Sequence, residues 1–168
     1  MSELFEVRDC KLGKGLFARK SIEAGETVLP FEGLVITTSQ ALEKGEKQSD
    51  PLQIGLNRYV DLQDPGRCAN HSCDPNAGVN RDLQLVALRN IQPGEEICYD
   101  YSTTMGDGLW EISCHCGSTN CRNRIRDFRF LSREIQTHYL SLGVVQPYLA
   151  VEDLYKSSVP SLSHVRHR

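Results

Sequence analysis

The sequence predicts a mainly β fold, and three observations support this class. Short runs rich in β-branched, aromatic and other apolar residues occupy much of the first hundred positions: 4–7, 16–19, 27–31, 34–36, 58–62, 83–88 and 96–99. Glycine, proline, asparagine and aspartate separate these runs and favour turns. The chain has 168 residues, of which 39% are hydrophobic, a size and composition typical of one globular domain with its own core.

Two helices are predicted outside the strand-like runs. The first is short and covers 38–44, with Thr38 or Ser39 as its N-cap. The second begins after Ser132, which is a suitable N-cap, and ends at Gly143. Its apolar residues follow one another at helical spacing: Ile135, Tyr139 and Leu142. We expect this C-terminal helix to pack on the sheet.

Charge and cysteine content restrict the function classes. Lysine and arginine number 19 against 22 aspartate and glutamate residues, a formal net charge of −3 that argues against direct nucleic-acid binding driven by overall charge. No apolar stretch approaches transmembrane length, and the first residues do not resemble a signal peptide, so we expect no membrane partner. Seven cysteines, an odd number, favour metal binding in a reducing intracellular compartment, cytoplasmic or nuclear.

Three cysteines lie close enough in sequence to bind one metal ion. Cys114, Cys116 and Cys121 fall within eight residues, and thiolates at such spacing can surround a tetrahedral zinc ion. Cys73 is the best candidate for the fourth ligand, which would tie two distant segments together. His115 is a weaker candidate because it lies between two ligating neighbours, and ordinary buried cysteines are the remaining alternative. The other cysteines stand singly and are interpreted as small core residues: Cys10, Cys68 and Cys98.

Three separated motifs precede the cysteine cluster. They are KGLFA at 14–18, RCANHSCDPN at 67–76 and GEEICYDY at 94–101. Together, and in this order, they resemble the motifs of the SET-domain lysine methyltransferases, and the cluster is similar to that family's post-SET segment. The resemblance covers about residues 12–125 and does not extend to the C-terminal region.

The resemblance implies a specific fold and domain organisation. SET domains consist of several small, curved β-sheets in which a C-terminal segment threads beneath an earlier loop as a pseudoknot. This threading would bring the Asn70-His71 segment next to Tyr101. We expect a SET domain over 1–103, a post-SET zinc segment over 104–126, and a C-terminal helical extension over 127–168 whose tail, from Ser157, is frayed.

The resemblance also implies an activity and a set of site residues. The activity is methyl transfer from S-adenosylmethionine to the side-chain amine of a lysine-bearing protein or peptide. The implied donor-binding residues are Lys14, Gly15, Leu16, Arg67, Asn70, His71 and Tyr101. Tyr101 occupies the position of the family's catalytic tyrosine, and the zinc-bound segment would close over the donor. Without the resemblance, Gly13 and Gly15 are as typical of a turn as of a donor site, and the same holds for Asn70 and His71.

Two positions bear on the lysine channel. Tyr99 stands where the family has either Phe or Tyr, and its added hydroxyl predicts mainly monomethylation because it leaves less room for a methylated amine to turn and react again. Many members of the family have a tyrosine followed two residues later by Gly-Glu. This chain has Phe31 at the position of the tyrosine and Leu34 at the position of the glutamate. We therefore expect a channel with a different lining. Trp110 and Ile125 flank the zinc segment and are candidates to pack on adenine or on the substrate.

Two alternative functions follow from the same residues. The first is a catalytically degenerate, zinc-stabilised binding module with a SET fold, since a fold does not guarantee activity. The second is a nucleic-acid-binding zinc knuckle, suggested by a run of basic residues beside the cluster: Arg122, Arg124, Arg126 and Arg129.

Overall fold

Small β-sheets make up most of the structure. The computed structural model describes residues 2–45 and 50–150. Within these residues, twelve strands form five sheets of two or three strands each. The strands are β1 Phe5–Cys10, β2 Gly13–Ala18, β3 Thr27–Pro30, β4 Gly33–Ile36, β5 Leu52–Gly55, β6 Arg58–Leu62, β7 Asn70–His71, β8 Ala77–Val79, β9 Gln84–Ala87, β10 Cys98–Tyr99, β11 Ile112–Ser113 and β12 Arg124–Ile125. The predicted mainly β class is confirmed.

The sheets are antiparallel with one exception. β1 pairs with β2, β4 and β5 flank β6, β3 and β8 flank β9, and β11 pairs with β12, all antiparallel. β10 instead pairs in parallel with β7, placing Cys98 opposite Asn70 and Tyr99 opposite His71. Five of these strands were not predicted as strand-like runs: β5, β7, β8, β11 and β12. They are two to four residues long and therefore carry almost no periodic signal.

Both predicted helices are present. α1, Thr38–Leu42, has Thr37 as its N-cap in a capping box with Gln40, so the predicted cap at Thr38 or Ser39 was wrong by one or two positions. α2, Arg133–Ser141, begins after Ser132, whose hydroxyl accepts a hydrogen bond from the backbone N–H of Ile135. A left-handed Gly143, with φ of 69°, follows its end. The tail predicted to be frayed lies outside the described residues. Among the described residues, no helix is long and apolar enough to cross a membrane.

The C-terminal extension, which contains α2, packs on the sheet that contains β8 and β9. Its core cluster contains buried aromatic and aliphatic side chains: Phe128, Leu131, Tyr139, Val144, Val145 and Leu149. Val144 packs closely on β8, where a Cβ added to Gly78 would lie 2.7 Å from the Val144 side chain. The buried Gln146 side chain donates to the carbonyls of Val79 and Asn80. Glycine is needed at position 78 because any larger side chain would collide with Val144.

The segment that leads into β10 runs between two earlier parts of the chain. On one side, the N–H of Ile97 donates to the carbonyl of Leu16 in β2, at 2.8 Å. On the other side, the side chain of Asn76 donates to the carbonyl of Glu96 at 2.8 Å and accepts the N–H of Cys98 at 2.9 Å. This crossing is the threaded arrangement implied by the resemblance, and it places β10 against β7.

Candidate active site and metal centre

Four cysteine thiols converge at one point. The Sγ atoms of Cys73, Cys114, Cys116 and Cys121 all lie within 4.8 Å of one another. Cys114 is 3.7 Å from Cys73 and 3.6 Å from Cys121, measured between Sγ atoms. Thiolates bound at about 2.3 Å to a tetrahedral zinc ion are about 3.8 Å apart, so the arrangement fits a four-thiolate zinc site.

Two backbone N–H groups contact sulfur atoms of this cluster. The N–H of Arg122 points to Cys73 Sγ and the N–H of Asn123 to Cys121 Sγ, each at 3.4 Å. Such donors stabilise negative charge on sulfur. His115 is exposed and outside the group of four, so the structure favours Cys73 over His115 as the fourth ligand.

A narrow groove next to the metal centre is organised by Asn70. Its side-chain Nδ2 lies 3.0 Å from the Lys14 carbonyl and 2.7 Å from Glu96 Oε1. A Cβ added to Gly15 would lie 2.5 Å from that Glu96 oxygen and 3.2 Å from the Asn70 amide. Only glycine at position 15 therefore leaves this network undisturbed. The structure places the first two sequence motifs in contact at Asn70 and adds Glu96, which sequence reasoning missed as a site residue.

Several residues occupy positions that differ from the predictions. Cys10 and Cys98 are partly exposed and line the groove, with Cys10 Sγ 3.4 Å from the Asn70 amide, so their interpretation as core residues was wrong. Cys68, in contrast, is buried. Burial raises the pKa of the Cys98 thiol to about 12, which keeps it neutral. Leu16 is fully buried in the main core, so only its backbone is available near the groove.

A second cavity, of about 220 Å³, is lined by Tyr99 and Tyr101. It adjoins the groove at His71, which lines the groove and whose ring centroid is 5.3 Å from that of Tyr101. The ring centroids of these two residues are 4.8 Å apart, and Phe31 packs on Tyr99 at 5.7 Å. The hydroxyl of Tyr101 donates to the carbonyl of Ala69 at 2.9 Å. Burial raises the pKa of both phenols above the ordinary value, and neighbouring groups add to the effect. Both hydroxyls therefore remain neutral hydrogen-bonding groups over the physiological pH range.

The third motif bends between the two tyrosines. Tyr99 ends β10, whereas Tyr101 begins a 3-10 helix, Tyr101–Thr104, so the two tyrosines do not lie on one strand although they are only two residues apart. The backbone N–H of Tyr101 donates to His71 Nδ1 at 3.2 Å. Burial lowers the pKa of His71 to about 4, against the opposing effect of the Asp100 carboxylate, so a neutral imidazole accepts this hydrogen bond.

Three further residues have defined positions around the cavity and the metal centre. Arg67 lines the tyrosine cavity and pairs with Asp64 at 3.1 Å, so it does not lie in the groove next to Asn70. Trp110 also lines this cavity, and its ring meets Tyr59 edge-on at 5.6 Å. Ile125 is buried with the metal-site cysteines.

The basic run beside the cysteine cluster is paired with carboxylates. Arg124 and Arg126 both bind Glu111, and Arg129 pairs with Asp127 at 3.1 Å. The two guanidinium nitrogens of Arg122 lie 2.7 and 2.8 Å from the carboxylate of Asp100. Three carboxylates therefore pair with these four arginines, so the run carries little of the unpaired positive charge that the zinc-knuckle interpretation requires.

Comparison with known protein families agrees with the geometry. A sequence model of the SET domain matches residues 13–102, more than half of the chain. The chain belongs to the SET-domain family. The matched region contains Asn70, Glu96, both tyrosines and Cys73, while the other three cysteines of the thiol cluster follow it.

Several SET proteins are similar to this chain in sequence. Human histone-lysine N-methyltransferase 2B is 35% identical over 127 residues, covering 66% of the chain and 5% of that protein. Trithorax of Drosophila virilis is 37% identical over 127 residues, covering 66% of the chain and 3% of that protein. ASHH3 of Arabidopsis thaliana is 30% identical over 132 residues, covering 68% of the chain and 36% of that protein. The chain therefore spans only a small part of these SET relatives.

Solved SET structures are similar to the chain in fold. The crystal structure of KRYPTONITE with mCHG DNA and SAH has a TM-score of 0.58 and 28% identity, covering 72% of the chain and 28% of that protein. A second KRYPTONITE complex, with mCHH DNA, an H3(1-15) peptide and SAH, has a TM-score of 0.56 and 27% identity, covering 72% and 29%. The SET fold inferred from the sequence is confirmed.

Proposed function

We propose that the protein is an S-adenosylmethionine-dependent protein-lysine N-methyltransferase. The observation that carries the proposal is the parallel pairing of β10 with β7, which sets Asn70 and His71 beside the Tyr101 segment. The similar curated proteins are histone-lysine methyltransferases, and one of the similar structures contains SAH together with a histone peptide. These relatives support both the reaction and a lysine-bearing peptide as acceptor.

The groove and the metal centre receive separate roles. S-adenosylmethionine would occupy the groove lined by Asn70, His71 and Glu96, where Gly15 leaves room for the hydrogen bonds of the Asn70 amide to the Lys14 carbonyl and to Glu96. When bound, this donor supplies an activated methyl group. The four thiolates would hold one zinc ion as a structural tie between the Cys73 loop and the post-SET segment. Three of the ligands follow β10 in sequence, so the zinc ion would hold the segment after β10 against one side of the site.

Tyr101 and the cavity would prepare the acceptor amine. A lysine amine with a pKa of ~10.4 is mostly protonated at neutral pH and must lose a proton before it attacks. The aromatic walls of the cavity favour the neutral amine by excluding water, and the positive donor nearby acts in the same direction. A new N–C bond then forms as the S–C bond breaks, with the nitrogen lone pair entering and the electron pair leaving on sulfur. The chain contributes alignment and no covalent intermediate.

Tyr99 would limit the number of methyl groups transferred. Its ring lies between Phe31 and Tyr101, and its hydroxyl is available to hydrogen-bond the amine or a water. A methylated amine would have to displace that interaction to present its lone pair again. We therefore propose monomethylation as the main outcome. Phe31 provides an apolar wall at the position where many relatives have a phenol.

One experiment tests the reaction class. The purified protein is incubated with radiolabelled S-adenosylmethionine and a panel that contains core histones, histone H3 peptides and cell extracts. We expect label on lysine with the wild type and at least a hundredfold less with Tyr101→Phe, while both variants bind the donor. Donor binding with no transfer to any acceptor would instead support the catalytically degenerate binding module. Label on a residue other than lysine would refute the proposal.

A further inference from the structure

The described part of the C-terminal extension, residues 127–150, contacts the Tyr101–Thr104 helix. The extension lies outside the SET match. Its Gln146 backbone N–H donates to the carbonyl of Thr103 at 3.1 Å, and the hydroxyl of Tyr148 donates to the carbonyl of Thr104 at 2.9 Å. Carbonyls at the end of a short helix have no partner within that helix. The extension therefore supplies the hydrogen bonds that end the helix carrying the catalytic tyrosine.

A buried carboxylate connects α2 to the same helix. Asp100, 1% exposed, directly precedes Tyr101 and caps its helix, accepting the N–H of Ser102 at 3.1 Å. From α2, the hydroxyl of Tyr139 donates to Asp100 Oδ2 at 3.1 Å. Tyr139 is 4% exposed, so water does not replace this contact while the helix is docked.

The same carboxylate is linked to the metal centre. Arg122 forms a two-pronged ion pair with Asp100 through its guanidinium group. The backbone N–H of Arg122 also contacts Cys73 Sγ, and Arg122 directly follows Cys121 in sequence. Asp100 thus joins three parts of the chain: the SET motif, the post-SET segment and α2. Its charge is neutralised by Arg122, and its orientation depends also on Tyr139.

We infer that Tyr139 is a positioning residue for Tyr101 and for the zinc segment, and that the C-terminal extension is an integral part of the catalytic unit. The inference rests on the proposed function for the role of Tyr101. Tyr139 touches neither the groove nor the tyrosine cavity. It acts through Asp100, by fixing the carboxylate that caps the Tyr101 helix and holds Arg122.

Hydrogen exchange, measured by mass spectrometry on the full chain, tests this role directly. Tyr139→Phe removes one hydroxyl and preserves the ring. Thr137→Ala, the control, removes a hydroxyl of the same helix that bonds only within it, to the Arg133 carbonyl. We expect exchange of the amides of residues 101–103 to become about tenfold faster in Tyr139→Phe, which is about 1.4 kcal/mol, and to be unchanged in the control.

The pattern of the effect separates positioning from general stability. Faster exchange confined to residues 101–103 and 114–122 supports the inference. Equal acceleration in the β1–β2 hairpin would show a merely structural role and would overturn it, as would unchanged exchange everywhere. A second readout is zinc release to a chromophoric chelator, which we expect to be several-fold faster in Tyr139→Phe than in Thr137→Ala.

Kinetics give a third readout once an acceptor is known. We expect kcat for methyl transfer to fall about tenfold in Tyr139→Phe, with KM for S-adenosylmethionine within twofold of the wild type. A rise in that KM at constant kcat would contradict a role in positioning Tyr101. If no variant transfers a methyl group, the proposed function fails, whereas the exchange measurement still decides whether Tyr139 orders the Tyr101 helix.

Discussion

Replacing Cys73 by serine tests the metal centre most directly. Cys73 comes from the loop that contains the Asn-His motif, whereas the other three thiols come from the segment 114–121. The substitution changes one atom and removes the only ligand outside that segment. We expect it to disconnect the two segments while leaving Cys114, Cys116 and Cys121 in place.

The size of the effect follows from the length of the loop that the metal closes. Cys73 and Cys114 are 41 positions apart in sequence. A crosslink across about 40 residues restricts the unfolded chain by about 4 kcal/mol. If the zinc ion instead leaves the chain on unfolding, the unfolded chain is not restricted, and the stability lost is the binding free energy of the ion. We therefore expect Cys73→Ser to lose at least about 4 kcal/mol, a large share of the 5–15 kcal/mol typical of a domain.

Urea unfolding and metal analysis measure this loss. Wild-type protein should bind one zinc ion per chain and lose a similar amount of stability when treated with a chelator, whereas the chelator should have little effect on Cys73→Ser. The matched control is Cys68→Ser, a buried cysteine outside the group of four whose Sγ lies 3.7 Å from Asp64 Oδ1. We expect the control to lose less than about 1.5 kcal/mol. Wild-type stability and full zinc content in Cys73→Ser would refute the assignment.

Two further predictions concern the groove and the cavity. Tyr99→Phe removes a hydrogen bond of about 1 kcal/mol to the amine or its water, so we expect several-fold more dimethyl and trimethyl product by mass spectrometry. An unchanged product distribution would contradict the role of Tyr99. Gly15→Ala forces Glu96 away from its position and should weaken S-adenosylmethionine binding at least tenfold by calorimetry. Gly55→Ala, whose added Cβ would meet only Arg58 at 3.7 Å, should bind like the wild type.

Local sequence signals predicted the parts of the molecule that depend on neighbouring residues. The position of α2 followed from the Ser132 cap and the apolar spacing, because capping and amphipathicity act over one or two helical turns. The cluster of Cys114, Cys116 and Cys121 was visible because its members lie within eight residues. Cys73 was assigned to it by chemistry, since a closed zinc site needs a fourth ligand.

Other features had no local signal. β7 is two residues long and β8 three, and both exist because distant segments pair with them. Cys10 resembled a core residue in sequence, but it lines the groove because β1 ends beside Asn70. Aspartate and arginine are common residue types, and no local pattern at Asp100 or Arg122 indicates that these two side chains form an ion pair in the interior.

The sequence by itself determined the fold class, the family resemblance and the residue types available for a thiolate metal centre and an aromatic cavity. Tertiary structure decided which of those residues share a site. The physical reason is that hydrogen bonds, ion pairs and metal ligation depend on distances of a few ångströms, and the threaded crossing of β10 sets these distances between residues far apart in the chain. Tyr139, outside the SET motifs, is connected to Tyr101 through that crossing and the buried Asp100 carboxylate.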